Sequence, residues 1–144
     1  MIVIIDYGLG NISNVKRAVE HLGYKVVVSN DQNIIEQAET IILPGVGHFK
    51  DAMSEIKRLN LDAILAKNTD KKMIGICLGM QLMYEHSDEG DVSGLGFIPG
   101  NISHIQTNYP VPHLGWNNLV SQHPMLNQDV YFVHSYQAPM SENV

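Results

Sequence analysis

Residues 72–82 read Lys-Met-Ile-Gly-Ile-Cys-Leu-Gly-Met-Gln-Leu, an apolar run that ends in Gly-x-Cys-x-Gly and continues into a helical pattern. This spacing is the thiol counterpart of the Gly-x-Ser-x-Gly elbow, in which a nucleophile lies on a sharp turn between a strand and a helix. Gly75 and Gly79 leave room for such a turn. A lone cysteine is most often a buried small hydrophobe, but this context favours an exposed Cys77 at a helix N-terminus, where backbone N–H groups stabilise a thiolate.

Composition narrows the class of protein. The chain has 144 residues, 44% hydrophobic and 17% charged, which predicts one globular domain. The net charge of −6, with nine Lys and Arg residues, argues against nucleic acid as a partner, and no apolar stretch is long enough to span a membrane. Residues 1–6 predict a first strand rather than a signal peptide. A single cysteine fits a cytoplasmic location, and the lack of paired histidines or cysteines predicts no metal site and no cofactor.

The first half of the chain alternates between strand and helix patterns. Apolar runs predict strands at 2–5, 25–28, 40–43 and 73–76, each resembling an interior strand that is apolar on both faces. Apolar residues at helical spacing predict helices around 12–22 and 49–56, with a further short helix from Asn60 or Asp62. Gly23 is placed to end the first helix. The alternation predicts an α/β fold with a doubly wound, mostly parallel, flavodoxin-like sheet.

The second half has a different pattern. Short extended runs at 96–98, 102–106, 116–120 and 130–133 are separated by prolines and a polar turn near residue 90. They predict antiparallel strands packed at one end of the sheet, within the same domain.

A glycine-rich loop follows the predicted third strand. Residues 44–49 read Pro-Gly-Val-Gly-His-Phe, and the carboxyl ends of parallel strands meet at one edge of a sheet, where ligands bind. Backbone N–H groups of Leu78 and of the chain near Val46 are therefore candidates for an oxyanion hole, with an ordinary turn as the alternative. The Gly-x-Gly at 8–10 is weak evidence for a dinucleotide site, because Ser13 stands where a third glycine belongs.

Two single residues leave alternatives open. His134 ends a predicted strand and is a conceivable base for Cys77, although a histidine in this position is more often structural. Trp116 is the only tryptophan. A buried aromatic is the default interpretation, and an exposed interface anchor is the alternative.

Five stretches together resemble one family, the triad-type class I glutamine amidotransferase subunit of imidazole glycerol phosphate synthase in histidine biosynthesis. The resemblance extends over the whole chain and rests on residues 6–11, 44–49, 75–81, 112–117 and 131–136. The cysteine elbow marks the wider amidotransferase class. The Gly-Val-Gly-His-Phe and Pro-His-x-Gly-Trp-Asn stretches indicate this subunit.

The resemblance implies a role for each matching position. Cys77 would attack the side-chain amide of L-glutamine and form a thioester, and the ammonia released would pass to a cyclase subunit, a (β/α)₈ barrel that forms a heterodimer with this chain. The implied oxyanion hole comprises Gly45, Val46 and Leu78. The implied glutamine-binding residues are Gly47, Gln81, Glu89, Ser135 and Tyr136. The implied partner-interface residues are Asn11, Trp116, Asn117 and Tyr131.

The chain departs from the family in one respect. The family's catalytic His and Glu come late, in a stretch reading roughly Gly-x-Gln-Phe-His-Pro-Glu, and residues 1–144 contain no such stretch. The sequence therefore predicts an amidotransferase domain that is incomplete at its C-terminus and inactive as given. A catalytically dead interaction module that keeps the docking surface is one alternative. A cysteine hydrolase of the DJ-1/PfpI type is another, against which Gln81 and the Pro-His-x-Gly-Trp-Asn stretch argue.

Overall fold

A four-stranded parallel sheet lies at the centre of the first half of the chain. The structure is a computed structural model that describes residues 1–140. The strands are β1 (Ile2–Ile5), β2 (Val26–Ser29), β3 (Thr40–Leu43) and β4 (Lys72–Gly75), in the order β2-β1-β3-β4 with every pair parallel. The predicted α/β class and parallel sheet are confirmed. The bounds of β1 and β3 agree with the sequence prediction, and β2 and β4 are shifted by one residue.

Five helices connect these strands and lead out of the sheet: α1 (Ile12–His21), α2 (Gln32–Glu36), α3 (Phe49–Arg58), α4 (Leu61–Ala66) and α5 (Leu78–Leu82). Gly23 ends α1 as predicted, with a φ of 85° that suits glycine. Its N–H donates to the carbonyl of Glu20, and the N–H of Tyr24 donates to that of Val19, which is the hydrogen-bond pair of a Schellman motif. Asp31 begins α2 by accepting hydrogen bonds from two backbone N–H groups of the first turn.

The core lies between the sheet and α3. Phe49, Ala52, Met53 and Ile56 form the predicted apolar face of α3, and all four are buried. By contrast, α1 buries no residue fully, and Leu22 at its end is 71% exposed. The prediction that all four strands are interior is wrong for the described residues, because β2 and β4 are the edges of the sheet.

The second half forms a second sheet and a hairpin. The sheet contains β5 (Tyr84–Ser87), β6 (Val92–Ser93), β7 (Ile98–His104) and β10 (Tyr136–Gln137), in the order β10-β7-β5-β6. The hairpin pairs β8 (His113–Asn118) with β9 (Asp129–His134), and a 3₁₀ turn at Pro124–Leu126 lies between them.

The predicted antiparallel strands of this half are confirmed in the β10–β7, β5–β6 and β8–β9 pairs, and the parallel pairing of β5 with β7 is an addition to the prediction. Gly96, with a φ of 71°, belongs to the turn before β7 rather than to a strand. None of the helices in residues 1–140 is long and apolar enough to cross a membrane.

Candidate active site

Cys77 lies on a strained turn between β4 and α5. Its φ of 54° and ψ of −116° fall in a region that side chains with a Cβ rarely adopt, and its side chain is exposed. A methyl group at Gly79 would lie 1.8 Å from the carbonyl oxygen of Leu43, and one at Gly75 would lie 2.4 Å from the Cα of Met80. Both glycines are therefore required by close backbone packing, and the turn has the elbow geometry that the Gly-x-Cys-x-Gly spacing predicts.

The Pro44–Gly47 loop lies against this elbow. A methyl group at Gly45 would lie 2.6 Å from the backbone nitrogen of Gly79 and 2.7 Å from the hydroxyl oxygen of Tyr7, so Gly45 is packed tightly and buried. Gly47 differs from it. Its φ is 103°, and a methyl group there would contact nothing within 4 Å. One end of the loop is thus held by the elbow, and the other end is open.

Cys77 opens into a cavity of about 260 Å³ that brings most of the predicted site together. The predicted residues that line it are Val46, Gly47, Cys77, Leu78, Gln81, Glu89, Ser135 and Tyr136. Gly45 is the exception, since it is packed against Gly79 and Tyr7 and does not line the cavity. Chain segments that are far apart in sequence, from the loop after β3 to the end of β9, thus meet at one point.

Glu89 has a backbone partner that the sequence does not reveal. The N–H of Phe49, the first residue of α3, donates to Glu89 Oε2 at 2.9 Å. The turn between β5 and β6 carries Glu89, and Ser87 Oγ accepts a hydrogen bond from its N–H at 3.1 Å. The carboxylate is thereby fixed at the N-terminus of a helix, where negative charge is favourable.

His86 holds the same turn from the outer side. Its Nδ1 lies 2.8 Å from Asn101 Oδ1 and its Nε2 lies 3.0 Å from Asp91 Oδ1. Asn101 in turn donates to Asp88 at 2.9 Å. Because both ring nitrogens face acceptors, the hydrogen bond with Asn101, followed by that with Asp91, raises the pKa of His86.

His134 lines the cavity with Cys77, but both of its ring nitrogens are already bonded. Its Nδ1 lies 2.8 Å from the carbonyl oxygen of Tyr136, which can only accept, so this nitrogen carries the proton. Its Nε2 lies 3.2 Å from Nδ1 of His113, which then donates to it. This arrangement supports the structural interpretation of His134 rather than the role of a base.

Tyr7 is a site residue that the sequence analysis did not identify. It follows β1, is completely buried, and donates a hydrogen bond of 2.6 Å to the carbonyl oxygen of Pro44. Burial, and to a lesser extent the charge of Cys77, raises the pKa of Tyr7, which keeps the hydroxyl protonated. The available signal was topological, because β1 pairs with β3 and their carboxyl ends are therefore adjacent.

Three of the predicted interface residues lie together on the β8–β9 hairpin. Trp116 pairs directly with Tyr131, their rings meet edge to face at 5.7 Å, and Asn117 is the next residue of β8. Trp116 is 73% exposed and Tyr131 57% exposed, so the default prediction of a buried tryptophan is wrong. Asn11 lies in another element, exposed at the start of α1. Within residues 1–140, no group of three His, Cys, Asp or Glu side chains is arranged to hold a metal ion.

Comparison with known proteins gives a consistent result. The family model for glutamine amidotransferase class-I matches residues 3–142. Imidazole glycerol phosphate synthase subunit HisH from Staphylococcus aureus is 94% identical over 144 residues, which are all of this chain and 75% of that protein. The same subunit from Staphylococcus epidermidis is 62% identical over the same span. A solved crystal structure of a glutamine amidotransferase aligns with 99% of this chain and 76% of its own, with a TM-score of 0.81 at 14% identity, which supports the fold alone.

Proposed function

Because this chain belongs to the class-I glutamine amidotransferases, and within them to the HisH subunits of imidazole glycerol phosphate synthase, we propose that it hydrolyses L-glutamine to glutamate and ammonia for histidine biosynthesis. The observation that carries the proposal is the Cys77 elbow opening into the cavity lined by Gln81, Glu89 and Tyr136. The family match removes the reason to retain the DJ-1/PfpI alternative.

The proposed chemistry proceeds through a thioester. The Sγ of Cys77 gives up its proton and forms a bond to the side-chain amide carbon. As the C–N bond breaks, the amide nitrogen takes up one proton and leaves as ammonia. Water then attacks the thioester carbon, which releases glutamate and returns the thiol. N–H groups of Leu78 and of the Val46–Gly47 segment are the proposed donors to the oxyanion in both steps, because these residues line the same cavity as Cys77.

The same cavity has groups that suit the other end of glutamine. Glu89 has a carboxylate oxygen left to accept from the substrate's ammonium group after Phe49 has bonded the first oxygen. Gln81 is buried and its Nε2 donates to the carbonyl of Tyr136 at 3.5 Å, which ties α5 to β10 across the cavity. Gly47, Ser135 and Tyr136 complete the proposed set.

We further propose that the β8–β9 hairpin docks the cyclase subunit, a (β/α)₈ barrel, to form a heterodimer that receives the ammonia. Trp116 and Tyr131 present the kind of exposed aromatic surface that anchors an interface, and Asn117 and Asn11 extend the proposed contact. We propose that the reaction occurs in the cytoplasm, because a chain with a single cysteine suits a reducing compartment. We expect the isolated subunit to be nearly silent until the partner turns the Gly45–Gly47 loop at its open end, Gly47.

No residue within 1–140 is placed to act as the base for Cys77. Of the histidines in the described chain, only His134 lines the cavity, and its two nitrogens are bonded to Tyr136 and His113. We therefore propose that the 144-residue chain alone has no measurable glutaminase activity, since loss of a general base lowers rates by about 10²–10⁴. In that form it would act as an interaction module that keeps the docking surface.

The test compares two proteins. One is the 144-residue chain, and the other, called the extended chain, is the same chain joined to the C-terminal quarter of the 94%-identical relative. With the cyclase subunit present, the extended chain should hydrolyse glutamine, a glutamine-like diazo-ketone should label Cys77, and Cys77→Ala should abolish both. Glutaminase activity that survives Cys77→Ala would exclude the thioester route.

His134 decides the second part of the proposal. In the extended chain, His134→Ala should change the KM for glutamine or the affinity for the cyclase subunit more than kcat. If instead the 144-residue chain turns over glutamine at the rate of the extended chain, and His134→Ala stops it, then His134 is the base.

A further inference from the structure

Tyr7 is a buried phenol directly beneath the loop that carries the proposed oxyanion donors. Its side chain is 0% exposed, and its hydroxyl makes the 2.6 Å hydrogen bond to the carbonyl oxygen of Pro44. A hydroxyl buried this deeply is stable only when it has a partner. Glutamine binding does not account for this contact, because Tyr7 does not line the Cys77 cavity.

Two contacts from one oxygen atom define what Tyr7 does to the loop. The hydrogen bond fixes the carbonyl of the Pro44–Gly45 peptide, and with it the plane of that peptide. The same oxygen is so close to Gly45 that a methyl group there would approach it to 2.7 Å. The next residues differ, since Gly47 has open space around it and a φ of 103°. Rotation of the backbone is therefore blocked at Gly45 and permitted at Gly47.

We propose that Tyr7 is a positioning residue for the oxyanion hole, acting through Pro44 and Gly45 to keep the Val46–Gly47 donors beside Cys77. The proposal rests on the proposed glutaminase function. Tyr7 does not touch the substrate, and its effect is on where the N–H groups point when the tetrahedral intermediate forms. The buried hydroxyl remains a neutral donor while the thiol changes charge, so the hydrogen bond from Tyr7 to Pro44 is kept when Cys77 ionises.

The test is Tyr7→Phe in the extended chain with the cyclase subunit, because this change removes one oxygen atom and keeps the ring. We expect kcat for glutamine hydrolysis to fall by about 10- to 100-fold, somewhat less than loss of a whole oxyanion donor. KM should change by less than about 3-fold, and alkylation of Cys77 by iodoacetamide, which forms no oxyanion, should keep its rate.

Tyr84→Phe is the matched control. Tyr84 is also buried, at 1% exposure, but it lies in β5 and pairs with Ile98 of β7. We expect Tyr84→Phe to leave kcat unchanged whatever it does to the melting temperature. The proposal would be overturned if both variants lost activity equally and each loss matched the loss of folded protein. Tyr7 would then have only a structural role.

A second measurement does not depend on activity. Hydrogen exchange of the backbone amides of residues 45–48 should be at least about 10-fold faster in Tyr7→Phe and unchanged in Tyr84→Phe. If exchange is unchanged in Tyr7→Phe, Tyr7 does not hold the loop, and the proposal is overturned even if kcat falls. If the unsubstituted extended chain fails to hydrolyse glutamine, the proposed function fails instead, and the exchange experiment alone decides whether Tyr7 holds the loop.

Discussion

Replacing Cys77 with glycine should stabilise the protein while it abolishes turnover. The φ of 54° and ψ of −116° at this residue are accessible to glycine but strained for any residue with a Cβ. The thiol is exposed, so removal of the side chain gives up little buried surface. The stability of the fold and the presence of the nucleophile are therefore opposed at this position.

The size of the effect follows from two opposing quantities. Relief of a strained φ and ψ contributes about 1–3 kcal/mol. The greater freedom of glycine in the unfolded chain offsets about 0.5–1 kcal/mol of this. The net stabilisation is then about 1 kcal/mol. In the extended chain the 144 residues make up about three quarters of the length, so at about 2.1 cal/mol/K of unfolding entropy per residue, 1 kcal/mol corresponds to a rise in melting temperature of about 2.5 °C.

The assay is urea and thermal unfolding of the extended chain with Cys77 replaced by Gly, Ala or Ser. Ala and Ser keep a Cβ, so they should lie within about 0.5 kcal/mol of the parent, and only Gly should gain. Ala63→Gly, on the exposed side of α4, controls for glycine itself and should lose about 0.5–1 kcal/mol. If Cys77→Gly is no more stable than Cys77→Ala, the elbow stores no strain and the reasoning fails.

Two further predictions concern groups around the site. The bond with Asn101 raises the pKa of His86, so its contribution to stability is complete below its ordinary pKa of about 6.5 and is lost as pH rises through the raised value. The difference in melting temperature between the parent and His86→Gln should therefore shrink from pH 6 to pH 8, and a constant difference would argue against it. His123→Gln, in an exposed turn, is the control. Gly79→Ala should prevent folding or Cys77 labelling, because its methyl group would lie 1.8 Å from a backbone oxygen. Gly47→Ala should fold, with a loss of about 1 kcal/mol in the free energy of unfolding, because a methyl group there meets only open space. Equal effects of the two substitutions on labelling and on thermal unfolding would contradict the packing argument.

The sequence predicted the parts of this fold that depend on local pattern. The bounds of β1 and β3 were predictable because each is a short apolar run that ends at a polar or turn-forming residue. The elbow was predictable because a sharp turn between a strand and a helix needs glycines on both sides of Cys77. The parallel pairing of β5 and β7 was not predictable, because neither strand has an alternating pattern and pairing partners are chosen by tertiary packing.

The exposure of Trp116 was predicted only as the alternative, and the position of Tyr7 was not predicted at all, for different reasons. The local sequence around an aromatic residue is the same whether the residue is buried in the core or exposed at an interface, so the pattern around Trp116 favoured burial, which is the commoner case. The contact between Tyr7 and Pro44 joins residues 37 positions apart. It exists only because β1 and β3 are neighbours, and no local pattern encodes that adjacency.

The site combines rigid support with one movable element. Gly79 and Gly45 are packed against backbone atoms, and Tyr7 holds the Pro44 carbonyl, so the elbow and the near end of the loop have no space to adjust. Of the glycines that form the loop and the elbow, which are Gly45, Gly47, Gly75 and Gly79, only Gly47 has both a glycine-favouring φ and open space. A partner that acts on this site can therefore change the direction of the loop's N–H groups only through Gly47. Partner stimulation should consequently be lost in Gly47→Ala, while Cys77 still reacts with iodoacetamide; a variant that keeps full stimulation would show that the loop turns elsewhere.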